Sequence, residues 1–119
     1  MTERPGRIWV ADVVERSMEP ALLPGDRLLV LPAGPHGLPG LRGMPPIGSV
    51  VIVARDERLD VKRVAPPPPG ASGLWLLGDN ARLSRDSRHD GALPLSALRG
   101  RVIYRIGPSG RRGRIAAAR

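Results

Sequence analysis

The sequence predicts a mainly β, single compact domain with short helical turns. Three observations predict it. Six short apolar runs follow one another, each bounded by Pro, Gly or charged residues. No apolar stretch holds a helical period beyond a couple of turns. The chain has 119 residues, which suits one domain around one core. A chain of that size buries roughly two-thirds of its unfolded surface and can fold without cross-links.

Taken in order, Ile8 to Val14 is an apolar run with Asp12 inside it and reads as a strand. Ser17-Met18-Glu19-Pro20 breaks it, and Pro24-Gly25-Asp26 signals a turn. Arg27 to Leu31 is a second strand. Pro32 to Pro46 is rich in Gly and Pro, lacks periodicity and reads as a surface loop. Gly48 to Ala54 is strongly β-branched, hence a strand. Arg55 to Arg58 is a charged hairpin turn, and Leu59 to Ala65 returns as the partner. Pro66 to Pro69 cannot join a ladder and reads as an extended excursion. Leu74 to Leu77 is a strand ending at Gly78. Ala81 to Gly91 is polar and irregular. Pro94 to Leu98 fits one helical turn, and Arg101 to Ile106 is the last strand. The expected core spans about 8–106. Residues 107–119 are small and basic and read as a frayed tail.

Composition excludes several classes of function. Apolar residues make up 41% of the chain but aromatics only 3%, with no Phe, so Val, Leu, Ile and Ala must build the core. The absence of Cys removes disulfides, thiolate metal sites and cysteine catalysis. The net charge is +8, but Arg is scattered, apart from Arg111, Arg112 and Arg114. No basic stripe is interleaved with aromatics, so nucleic acid is not the expected partner. No His, Asp or Glu group has metal-ligand spacing, and neither metal nor cofactor is expected. The apolar runs fall far short of the ~20 residues of a membrane span. The charged N-terminus does not read as a signal peptide. These features point to a cytoplasmic protein, with peripheral membrane association left open.

One residue type is conspicuous by its scarcity. Of 19 Lys and Arg residues, 18 are Arg and one is Lys62. Arg cannot lose its proton under working conditions, whereas a desolvated Lys can. Lys62 lies between Val61 and Arg63 in an apolar strand, where desolvation is feasible. Taken alone, the count leaves a chance survivor in an Arg-rich chain equally open. Ser17, at a strand-to-turn junction, is one of seven serines. Such a position exposes a nucleophile and turns backbone N–H groups toward an oxyanion. Most turn serines, however, make only local hydrogen bonds. A third segment is more distinctive: Gly78-Asp79-Asn80-Ala81-Arg82-Leu83-Ser84-Arg85-Asp86-Ser87-Arg88.

This segment, the run from Ser17 through Pro20 to Asp26, and Asp60-Val61-Lys62-Arg63-Val64 together resemble the signal peptidase I family of serine proteases. The blocks stand in that family's order, within a matched region from Val13 to Ile106. The resemblance implies a signal-peptidase- or SOS-repressor-like β fold and a Ser/Lys dyad. Ser17 would be the nucleophile and Lys62 the general base, with the Ser17 N–H in the oxyanion hole and Ser84 orienting the lysine. Asp86 and Arg88 would form a structural ion pair. Gly78 would let the backbone pass close to the lysine, and Asp79 and Asn80 would hold that turn. His36 and His89 have no role in this scheme and read as surface residues. Val13, Met18, Leu22 and Val61 flank the dyad by position and are expected to form shallow pockets for small side chains. The expected partner is a protein precursor bound as an extended strand.

Departures from the family pattern are visible. Glu15 and Arg16 precede Ser17 where the family has small or polar residues, so a second oxyanion donor is unassigned. Ala21 replaces a common Thr, and neither an anchor before Val13 nor a large second β domain is expected. The short form resembles the soluble actinobacterial maturation proteases of nickel-type superoxide dismutase, which implies propeptide removal. The alternatives are a general signal peptidase lacking its anchor and a degenerate, peptide-binding family member. A self-cleaving repressor would need a DNA-binding domain and a cleavage site in cis.

Overall fold

The computed structural model describes residues 6–117. The six apolar runs form six strands: β1 (Trp9–Asp12), β2 (Arg27–Pro32), β3 (Val50–Arg55), β4 (Arg58–Val64), β5 (Leu76–Leu77) and β6 (Leu98–Gly107). They make one antiparallel sheet in the order β1-β2-β6-β3-β4-β5. The mainly β expectation is met.

Strands β3 and β4 form a tight hairpin. Asp56 and Glu57 both adopt the left-handed conformation (φ 49° and 65°), as a two-residue turn between right-twisted strands requires. Val50, Val51, Ile52 and Val53 are all buried, because β3 is covered on both faces. This explains its unbroken apolar run, where a half-exposed strand would alternate. Val50 and Ile52 join Trp9, Ala11, Val13, Met18, Leu22, Leu28, Val30 and Val102 in one core. Val51 and Val53 join Val64, Leu74, Leu76 and Leu98 in a second. Each fully buried Leu, Val or Ile contributes roughly 1.5–3 kcal/mol of transfer free energy. Gly100 makes room in the first core: a Cβ there would lie 2.3 Å from Val30 Cγ1 and 3.3 Å from Trp9 Cζ2.

Three expectations need correction. The polar stretch 81–91 is more regular than its composition suggests. It holds a 3-10 turn at Ala81–Leu83 and a short helix, α1 (Ser87–Asp90), which Asp86 caps in a capping box. The strand expected over 74–77 shortens to Leu76–Leu77, with Leu74 forming an isolated bridge to Leu93. The tail expected to fray is docked through residue 116. Gly113 bridges Arg105, Ile115 packs on the first core, and the Ala116 carbonyl accepts from Arg63 Nη2 at 2.8 Å. Arg111 supplies the reason, clasping both oxygens of the buried Asp26 at 2.8 and 2.9 Å.

Candidate active site

The end of β1 and the loop after it, residues 12–18, face Leu59 to Lys62 of β4 across a groove. Arg55, Arg58, Leu83 and Arg85 complete its walls, and it is open to solvent. Ser17 and Lys62 both line this groove, and both are almost entirely buried, at 8% and 6% exposure.

The segment 78–88 ties the two walls together. The Asn80 amide donates to the Ser17 carbonyl at 2.8 Å, fixing the backbone of the serine. Lys62 Nζ donates to Ser84 Oγ at 3.0 Å, and Ser84 Oγ donates onward to Asp86 Oδ2 at 2.7 Å. The Ser84 proton is thereby committed to Asp86, and the lone pairs of its oxygen face the lysine. Asp86 also accepts from the amides of Gly78 and Arg88 and from the Arg88 guanidinium, at 2.5 Å from Nη2. Burial alone would raise the Asp86 carboxyl. The Arg88 guanidinium and these neutral donors outweigh it and hold the group far below the usual carboxylate range.

Lys62 responds in the opposite sense. Burial is the largest influence and pushes its ammonium below the ordinary lysine value. The carboxylates of Asp60 and Asp86 push it up, and Arg55 and Arg58 push it down again. A buried lysine biased toward its neutral form, hydrogen-bonded on one side and facing a groove on the other, can accept a proton from a group in that groove.

Most of the residues singled out in the sequence gather here. Val13, Met18 and Val61 line the groove; Leu22 does not, being wholly buried within the first core. Gly78 leaves room for the site's other members: a Cβ there would meet first Ser84 Oγ at 2.1 Å and the Ser17 carbonyl oxygen at 2.7 Å. Asp79 does more than hold its turn. Its carboxylate takes Arg63 of β4 in a two-pronged ion pair at 2.8 and 2.9 Å, both side chains buried. Asn80 acts through its backbone. Arg16 is paired with Glu19 on the surface. His36 is exposed; His89 is half-exposed and receives the Asp86 amide on Nδ1 at 3.3 Å. Sequence reasoning assigned no role to Asp60, Arg63, Arg55 or Arg58. The available signal was the charge carried by β4, where Arg58, Asp60, Lys62 and Arg63 alternate with Leu59, Val61 and Val64, since charges buried in a strand demand partners.

Among the described residues no group of three or more His, Cys, Asp or Glu could hold a metal ion. No helix among them is long and apolar enough to cross a membrane. No family model matches the chain. A stretch of 35 residues is 46% identical to mitochondrial inner membrane protease subunit 1 of Mus musculus; it covers 29% of this chain and 21% of that protein. The likeness is to one part of a protease subunit, and this chain is compared with about a fifth of its length.

Proposed function

We propose that this protein is a serine endopeptidase of the signal peptidase I type, with Ser17 as nucleophile and Lys62 as general base. The observation that carries the reading is the chain Lys62–Ser84–Asp86–Arg88, which holds the one lysine buried, oriented and displaced toward neutrality beside a groove that Ser17 also lines. The partial likeness to a protease subunit supports it.

In this mechanism Ser17 Oγ attacks the scissile carbonyl while its proton passes to Lys62 Nζ. The Ser17 amide stabilises the oxyanion. The C–N bond then breaks, and the Lys62 ammonium returns the proton to the leaving amine. Water, deprotonated by Lys62, releases the acyl group and regenerates Ser17. Ser84 holds the amine in register throughout, and Asp86 and Arg88 hold Ser84. The substrate lies extended in the groove, with small side chains against Val13, Met18 and Val61. The three sequence blocks suggest removal of an N-terminal leader or propeptide, and the narrower resemblance to maturation proteases makes a nickel superoxide dismutase precursor the proposed substrate.

The decisive variant is Lys62→Arg. Arg is this chain's habitual cation and keeps the charge, but it stays protonated at any working pH. A general base replaced in this way loses about 10²–10⁴-fold or more in kcat/KM, and wild-type activity rises with pH through a midpoint below the ordinary lysine value. An acylating probe should label wild type and fail on Ser17→Ala. Near-wild-type turnover by Lys62→Arg, or labelling independent of Ser17, would sink the proposal.

A further inference from the structure

Strand β4 sets two buried, oppositely charged side chains side by side. Asp60 and Lys62 are alternate residues and share a face, Asp60 opposite Val53 and Lys62 opposite Val51. Both are about 6% exposed. A carboxylate and an ammonium so placed in a low-dielectric wall favour an ion pair, and an ion pair would fix the proton on the lysine. That pair is absent. Lys62 Nζ donates to Ser84, and among the described residues no ion pair joins Lys62 to a carboxylate.

The oxygens of Asp60 are taken instead by two arginines of the β3–β4 hairpin. Arg58 Nε donates to Oδ1 at 2.8 Å, and Arg55 Nη2 lies 3.0 Å from Oδ2. Arg55 is itself tethered from the far side, its Nη1 donating to Asp90 Oδ2 of α1 at 2.7 Å. The hold on Oδ2 is the looser one. That oxygen and Arg55 Nε are both buried and complete no aligned hydrogen bond. Were Arg55 removed, Oδ2 would be free to accept from an ammonium on the same strand face.

The remaining charges around the lysine come from two other elements. Asp86, backed by Arg88, and the exposed Arg85 approach from the segment leading into α1, and Arg85 is paired to Asp90. Asp12 and Glu15 stand on the opposite wall of the groove, with Asp12 paired to Arg27. Asp60 is thus the carboxylate on the lysine's own strand face, and the hairpin arginines are what occupies it.

We infer that Arg55 and Arg58 are positioning residues for the proposed reaction: by occupying both oxygens of Asp60 they keep that carboxylate off Lys62 and leave its nitrogen free to take the Ser17 proton. The inference rests on Lys62 being the general base. It also accounts for Asp60, since without it Arg58 would lose its carboxylate partner and Arg55 would keep only Asp90.

The single lysine makes the test direct. Lysine labelled in its side chain gives one resonance in the full chain, and its titration reads the protonation of Lys62 whether or not turnover occurs. In the double variant R55Q/R58Q the midpoint should rise by about one pH unit or more, the effect of an opposite charge brought within contact range. Adding Asp60→Asn to that background should reverse the rise, and the acid limb of kcat/KM should follow both changes. Asp60→Asn alone should lower the midpoint, which keeps the test alive if the double variant does not fold. A midpoint that stays put or falls in R55Q/R58Q, or fails to move in Asp60→Asn, overturns the inference while leaving Ser17 labelling intact. Loss of the catalytic reading would show separately, as a wild type that the acylating probe does not label.

Discussion

At Gly78 the backbone comes within contact range of both halves of the site. A methyl group added there would overlap Ser84 Oγ and Cβ, at 2.1 and 2.4 Å, and the Ser17 carbonyl oxygen at 2.7 Å. None of these can yield cheaply. Ser84 is held by Lys62 and Asp86, and the Ser17 carbonyl by the Asn80 amide. Gly78→Ala should therefore cost about 1–3 kcal/mol of stability, as overpacking does, and misplace the serine and the lysine relative to one another. A displacement near 1 Å is enough for about a 100-fold loss of rate. Measured together, Tm should fall modestly while kcat/KM and probe labelling fall steeply; an alanine variant with wild-type labelling would show that the contact is dispensable. At this scale the sequence was informative about which residues matter and less so about why. Lys62 stood out because it is the one lysine among arginines, and Ser84 and Asp86 because of the block they share. The partners of Asp79 and Asp60 were hidden. Arg63 lies 16 residues from Asp79, and only the pairing of β4 with the site segment brings them together. The approach of Gly78 to the Ser17 carbonyl was hidden as well, because that carbonyl's position follows from the fold and not from spacing.

Among the elements, the loop 17–26 shows how the site is anchored from a distance. Asp26 is buried, and its carboxylate accepts from the Leu23 amide at 2.8 Å and from Arg111, 85 residues away. Burial would raise the Asp26 carboxyl; Arg111 and the Leu23 amide bring it below its ordinary value. Arg105, lying 3.7 Å from the same carboxylate, also donates to the Ala21 carbonyl of the loop at 2.8 Å. The tail is therefore a clasp across the serine loop. Arg111→Ala should leave a buried carboxylate short of its main partner, at a cost on the order of 2–4 kcal/mol at neutral pH. Because the folded value of Asp26 is depressed, this stabilisation is present above the ordinary carboxylate pKa and is lost as pH falls through the folded one. The Tm gap between wild type and Arg111→Ala should thus be wide at pH 7 and narrow below about pH 4. A gap independent of pH would mean that Arg111 acts by packing alone. The six strands were legible because each apolar run is short and bounded by turn residues. The clasp was not, since a run of Arg, Gly and Ala carries no periodicity, and nothing local marks which arginine meets a buried acid.

For the molecule as a whole, a buried lysine is a liability that the fold carries. The folded value of Lys62 is depressed, so between it and the unfolded value near 10.4 the unfolded chain binds more protons and stability rises with pH. Below that window the full cost of burying the ammonium is felt. Lys62→Met fills similar space without charge, and Ser84 keeps its bond to Asp86. This variant should be inactive yet more stable than wild type by about 1 kcal/mol or more, a few °C in Tm, at acid and neutral pH. The advantage should shrink as pH rises through the window, and calorimetry across pH would show it. A Met variant less stable than wild type at every pH would mean that Lys62 supports the fold.

The groove walls have a mechanical consequence. β1, whose end carries the loop with Ser17, is an outermost strand, and β2, β6 and β3 separate it from β4, which carries Lys62. The sheet must curl for these walls to meet, and β6 is the middle leaf of that curl. Its register slips against β2 on either side of Leu28–Leu29 and against β3 between Ile52 and Val53, and such irregularities sharpen local bending. The width of the groove therefore follows from the bend of a central strand. β6 stands where the spring of a pair of tongs would, so a substitution that changed its bend would change the gap between the wall that carries Ser17 and the wall that carries Lys62.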